Sequence, residues 1–177
     1  MRICLEPGSS DQLKAGVDAR WAGEKGSKRR SRTGISIFYG NALVYYRSSL
    51  QSVVTLSSTE AEYVALSEEC KVIAWLRRLL DELGLQQEAT EVFQDNTGAM
   101  RWAEPHSAKE FSRSRHVDAR YHYSPEHVEA NNVRLTFKAF QEMRADLLPK
   151  PQGPKDTFGL AKTLGLTIEN LKSEERC

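Results

Sequence analysis

Cysteine is scarce in this chain. Cys4, Cys70 and Cys177 are its only three, odd in number, far apart and in no CxxC pattern. That spacing excludes a disulfide framework or a thiolate zinc site and fits reduced thiols inside a cell. Long apolar runs are missing too, since none approaches the ~18 residues that a membrane span needs. The opening Met-Arg-Ile-Cys-Leu-Glu-Pro-Gly lacks the apolar core of a signal peptide. Charge of one sign is not in excess: 25 basic and 24 acidic side chains leave a formal net charge of +1. No global field draws the chain to nucleic acid or to membranes, so any such affinity must come from local patches. The expectation is a soluble intracellular protein, cytoplasmic or nuclear, with no membrane partner.

What is present is a hydrophobic fraction of 40% in 177 residues, enough for one cored domain. The domain is expected over residues 12–150, after an extension at 1–11 and before a C-terminal segment at 151–177. That last segment holds an amphipathic stretch, Phe158 to Leu166, and a charged tail. Leu13 to Asp18 reads as a strand. Ile35, Ile37 and Tyr39 alternate, Gly40-Asn41 turns, and Leu43 and Tyr45 alternate again, which predicts a hairpin. Val72, Ile73, Leu76, Leu79, Leu80 and Leu83 recur at helical spacing, and Gly84 supplies a stop, so a long helix is predicted from Ser57 to about Leu83. A strand at Glu91–Asp95, a short helix at Thr97–Ala103, a weaker helix from His116 to about Ala130 and a strand at Val133–Phe140 follow. A last helical turn, Met143 to Leu148, ends at Pro149. This order of elements gives an α/β fold with a mixed sheet.

Carboxylates carry the chemical signal. Ser57 and Glu60 have capping-box spacing, so hydroxyl and carboxylate are each expected to satisfy a free backbone N–H at the helix start. Glu62 is left over by that cap, and it is expected in the first turn, where the helix dipole favours an ionised side chain. Asp18 and Asp95 end strands, and Asp146 precedes Pro149 in the last helical turn. Acids from strand ends and a neighbouring helix start can converge on one crevice. Gathered acids repel one another unless divalent cations lie between them, and two such ions ~4 Å apart suit phosphodiester cleavage. The other reading of the same residues is caps, turn aspartates and solvated charge.

The segments DARWAGEKGSKRRSRTG, LSSTEAEYVALSEECKVIAWLRRLLDELG, FQDNTGAMRWAE, SRSRHVDARYHY and RADLLPKP stand in this order along the chain. Together they resemble the ribonuclease H domain of copia-type long-terminal-repeat retrotransposon Pol polyproteins, over about Leu13 to Leu166. The resemblance implies a ribonuclease H fold, with a mixed five-stranded sheet flanked by helices. It also implies cleavage of the RNA strand of RNA–DNA hybrids with two Mg²⁺ ions, for which Mn²⁺ can substitute. Carried over by position, the metal-binding and catalytic set is Asp18, Glu62, Asp95 and Asp146. Asp18 and Asp95 are assigned to bridging the ions, Glu62 to the leaving-group side and Asp146 to the side of the attacking water. A reverse transcriptase of the same polyprotein is the implied protein partner. Departures from the pattern are Arg20, where the family has a second aspartate, and Leu147-Leu148-Pro149 before Lys150-Pro151. They motivate a second reading: a catalytically degenerate module that binds nucleic acid or supports a reverse transcriptase.

Other residues have two readings each. The cluster from Lys25 to Arg32 is either a solvated loop or a phosphate grip, and with the resemblance counted Arg29 and Arg30 are the first choices for hybrid contact. Asn96 either caps a helix or bonds a ribose 2′-hydroxyl. His116 and His122 lie on a surface helix face or assist proton transfer near the metals, and Asp118 is the reserve for Asp146. Trp21, Trp75 and Trp102 are expected in the core, with Trp102 alternatively along a nucleic-acid groove.

Overall fold

The computed structural model describes residues 10–21, 29–104 and 123–138. Five strands form one sheet: β1 (Leu13–Arg20), β2 (Arg32–Tyr39), β3 (Ala42–Leu50), β4 (Thr90–Gln94) and β5 (Val133–Phe137), in the order β3-β2-β1-β4-β5. β1, β2 and β3 pair antiparallel, whereas β4 runs parallel to β1 and β5 parallel to β4. The helices are α1 (Ser58–Glu82), α2 (Thr97–Ala103) and α3 (Tyr123–Glu129). The mixed five-stranded sheet with helices is the expected architecture. No helix among the described residues is long and apolar enough to cross a membrane.

Local chemistry explains the elements. Gly40 takes φ 58, the left-handed conformation that a tight hairpin turn requires, and joins β2 to β3. β3 runs on to Leu50, past the alternation that ends at Tyr45, because Arg47 and Ser48 face solvent on an edge strand. α1 starts at the Ser57 cap, whose side chain accepts the Glu60 N–H at 3.1 Å. The Glu60 carboxylate accepts from Leu56 N at 2.6 Å, one residue before the predicted partner. At the far end Gly84, at φ 76, lets Leu85 N reach back to Leu80 O at 2.8 Å and close the helix. Arg77 then fastens the path from α1 to β4, donating to Gln87 O, Glu88 O and Thr90 Oγ1.

The core lies between the sheet and α1. Val17, Ile35, Ile37 and Val92 meet Tyr63, Leu66 and Ile73, all fully buried. Each such side chain contributes roughly 1.5–3 kcal/mol of transfer free energy. Trp102 packs edge-on against Tyr63, with ring centroids 5.6 Å apart. Trp21 and Trp75 are 48% and 57% exposed, so they do not fill the core as expected. Trp21 directly follows β1, where its indole N–H donates to Thr55 O, and Trp75 lies on the outer side of α1.

One core group is chemically out of place. Glu69 is fully buried, and neither of its carboxyl oxygens has a hydrogen-bond partner among the described residues. Burial pushes its pKa well above the ordinary carboxylate range, so the side chain is held protonated. An acid of this kind stabilises the fold below its unfolded pKa and loses that contribution as pH rises through its folded value. Glu69→Met is therefore expected to raise stability by about 1–3 kcal/mol at neutral pH. The gap from wild type should widen between pH 5 and pH 8. Urea denaturation at the two pH values measures it, and a variant less stable than wild type would contradict the reading.

Candidate metal centre

Three acids meet at the carboxyl ends of β1 and β4. Asp18 comes from β1, Glu62 from α1 and Asp95 from the turn after β4. Each offers a carboxylate oxygen within 4.8 Å of the other two. Asp18 and Glu62 are both buried, at 5% exposure, while Asp95 is half-buried. Parallel pairing of β1 with β4 places the two aspartates at neighbouring strand ends. The crossover through α1 lays Glu62 over them.

Close helix approach completes the arrangement. A Cβ on Gly98 would lie 2.9 Å from Thr59 Cγ2 and 3.1 Å from Asn96 Oδ1. Only glycine lets the first turn of α2 sit this near the first turn of α1, and the Asp95 turn comes with it.

The Glu62 carboxylate is held at both oxygens. Oε1 accepts the Ala19 N–H at 3.0 Å, and Oε2 accepts from Gln94 Nε2 at 3.4 Å. Gln94 is itself fully buried, and its Oε1 accepts the N–H groups of Asp95 at 2.8 Å and Asn96 at 3.2 Å. One amide therefore ties the helix acid to the strand-end acid. The sequence reading missed Gln94. The signal was available in the alternation of β4, which turns Thr90, Val92 and Gln94 inward.

Glu62 differs from expectation in two respects. Glu60 occupies the first turn of α1, and Glu62 sits further in, away from the strongest field of the helix terminus. Its pKa is pushed up to about 9, first by burial and then by the Asp18 charge, with Asp95 adding to the effect. The Ala19 N–H acts in the opposite direction and is outweighed. The site without a cation thus holds a proton.

Of the remaining expected residues, Asn96 caps α2, its Oδ1 accepting the Ala99 N–H at 3.0 Å. Arg29 is exposed and Arg30 half-buried on the approach to β2. Asp146, Asp118, His116 and His122 lie outside the described residues.

The three acids fit a hard divalent cation. The donors are all carboxylate oxygens, the type that Mg²⁺ and Mn²⁺ prefer, and their crowding is what a cation relieves.

No family model matches the chain. It is 36% identical over 162 residues to the retrovirus-related Pol polyprotein from transposon TNT 1-94 of Nicotiana tabacum, a match that covers 91% of this chain. It is 30% identical over 166 residues to the corresponding polyprotein from transposon RE1 of Arabidopsis thaliana, covering 93% of this chain. The chain spans only 12% and 11% of the length of these two relatives. Among solved structures it is similar to the N-terminal ribonuclease H domain of a Mycobacterium tuberculosis protein fused to maltose-binding protein. That match has a TM-score of 0.45 and 13% identity, and covers 86% of this chain and 99% of the other.

Two outcomes follow from this geometry. Gln94→Met should cost about 1–3 kcal/mol, because two backbone N–H groups lose their buried acceptor, and denaturant unfolding reads the loss. In chelator, wild-type stability should fall as pH rises from 4.5 towards 9, since over this window the folded chain holds a Glu62 proton that the unfolded chain releases. Glu62→Gln should flatten most of that slope in thermal melts. An unchanged slope would contradict the assignment.

Proposed function

From a chain homologous to one stretch of the retrovirus-related Pol polyproteins of plant transposons, we propose a ribonuclease H that cuts the RNA strand of RNA–DNA hybrids in a Mg²⁺-dependent reaction. The observation that carries this reading is the meeting of Asp18, Glu62 and Asp95 from three separate elements. When bound, Mg²⁺ supplies activation of a water and stabilisation of the leaving oxygen at a phosphodiester.

The chain's own residues do the rest. Asp18, Glu62 and Asp95 hold the cations, with Asp146 as the proposed fourth ligand. The Ala19 N–H and the Gln94 amide hold the Glu62 carboxyl group in place before any cation arrives, so only its proton has to leave and little reorganisation is needed. Burial of Asp18 and Glu62 keeps the inner side of the site away from bulk water. Arg29 and Arg30 grip backbone phosphates, and Asn96 lies next to Asp95, where a ribose 2′-hydroxyl would distinguish RNA from DNA. His116 is an auxiliary candidate for proton transfer. The proposed partners are the hybrid and other domains of a Pol polyprotein, a reverse transcriptase first among them.

The test is a labelled RNA–DNA hybrid incubated with wild type and Asp95→Asn, with Mg²⁺ and Mn²⁺ in turn. Wild type should cut the RNA strand only when a divalent ion is present. Asp95→Asn should be at least ~100-fold slower, a loss of about 3 kcal/mol of transition-state stabilisation. Equal rates for the two proteins would remove the assignment. Binding without cleavage by wild type would favour the degenerate, nucleic-acid-binding module.

A further inference from the structure

Three large apolar side chains stand exposed at one corner of the fold. Trp21, Val54 and Leu56 are 48%, 51% and 67% exposed. The Trp21 indole N–H donates to Thr55 O at 3.0 Å, which sets the ring against the peptide that joins Thr55 to Leu56. Thr55 itself is buried, and its Oγ1 shares a 2.7 Å hydrogen bond with Ser31 Oγ, while the residues on either side of it turn outward. The loop is tied down along its length. Gln51 N donates to Ser31 O at 2.8 Å, and Gln51 Nε2 donates to Ala61 O at 2.8 Å and to Thr33 Oγ1 at 3.0 Å. Leu56 N donates to Glu60 Oε2 at 2.6 Å. A single exposed apolar residue is ordinary, but three together, held out by a braced loop, mark a contact surface.

The place of the patch says what it contacts. Trp21 is three residues beyond Asp18, a span of at most about 10 Å, and the intervening Ala19 N–H is the one bonded to Glu62. Leu56 is anchored on Glu60, two residues before Glu62 in the same helix. The patch therefore borders the acid cluster from both the β1 side and the α1 side. A polymer with one phosphodiester at the acids would carry its next sugar and base across it. Nucleic acids divide their contacts in this way, phosphate to charged or polar groups and the flat faces to aromatic and aliphatic ones. We propose that Trp21, Val54 and Leu56 form an apolar platform for the sugar and base of the hybrid nucleotide next to the one at the acids. This rests on the ribonuclease reading and adds to it a contact that needs no charge. The hydrogen bonds that brace the loop lower the ordering cost of that contact.

The experiment is fluorescence anisotropy of a labelled RNA–DNA hybrid over roughly 50–200 mM KCl, with Ca²⁺ in place of Mg²⁺, alongside the Mg²⁺ cleavage assay on wild type. Trp21→Ala should weaken binding roughly 5–30-fold and Leu56→Ser roughly 3–10-fold. The slope of log affinity against log salt should stay as in wild type, because no phosphate contact is lost. Trp21→Phe keeps a ring without the Thr55 bond and should recover most of the affinity that Trp21→Ala loses. Val54 and Leu56 are each more than half exposed, so Val54→Ser and Leu56→Ser carry the test should Trp21→Ala fail to fold. A variant whose salt slope drops by about 1 has lost an ionic contact, which would overturn the apolar platform. Wild type that binds and cuts while every variant matches its affinity would overturn the platform alone and leave the patch to a protein partner. Wild type that binds without cutting, with the variants weakened, would support the platform and count against the ribonuclease reading. Wild type that neither binds nor cuts would overturn both.

Discussion

The crowding of three carboxyl groups in a largely buried site, which keeps Glu62 protonated beside the two aspartates, is the constraint to which the fold answers. Asp18, Glu62 and Asp95 belong to elements far apart in sequence, and each would move away from the others if its own element allowed it. The sheet prevents this for the aspartates, because parallel pairing of β1 with β4 fixes both strand ends. Helix α1 prevents it for Glu62, because the apolar side of the same helix turns is locked against β1 and β2 by Tyr63, Leu66 and Ile73. Gly98 then removes the one side chain that would hold α2, and with it Asp95, at a distance.

Two opposing effects set the state of Glu62. Hydrogen bonds from Ala19 N–H and the Gln94 amide favour the carboxylate, while burial and the neighbouring aspartates favour the acid and prevail. A site of this kind gives up stability on its own and recovers it when a cation displaces the proton, which is linkage between metal binding and folding. Glu69 resembles Glu62 in being buried and protonated, yet no other acid shares its position among the described residues. Nothing in the structure explains why a carboxyl stands there.

Much of this was legible in the sequence because local chemistry and tertiary packing agreed. The Gly40-Asn41 turn, the Ser57 cap, the Gly84 stop and the bounds of α2 all fell where residue preferences put them. The same holds for Asp18, Glu62 and Asp95, which a five-segment resemblance located and the fold brings together. Legibility ended where the answer depended on three-dimensional neighbours. Hydrophobic size suggested core positions for Trp21 and Trp75, but Trp21 is exposed in the turn after β1 and Trp75 on the outer side of α1. The helix dipole suggested an ionised Glu62, but burial and two adjacent acids outweigh it. Gln94 was overlooked because a lone amide carries no motif, and its importance comes from what lies on either side of it.

The central claim is that these carboxylates form one cation site. Anomalous diffraction from crystals soaked in Mn²⁺ addresses it most directly. The account predicts a strong manganese peak within bonding distance of oxygens from Asp18, Glu62 and Asp95 together. Crystals that take up manganese elsewhere, or show no peak between these three side chains, would contradict it.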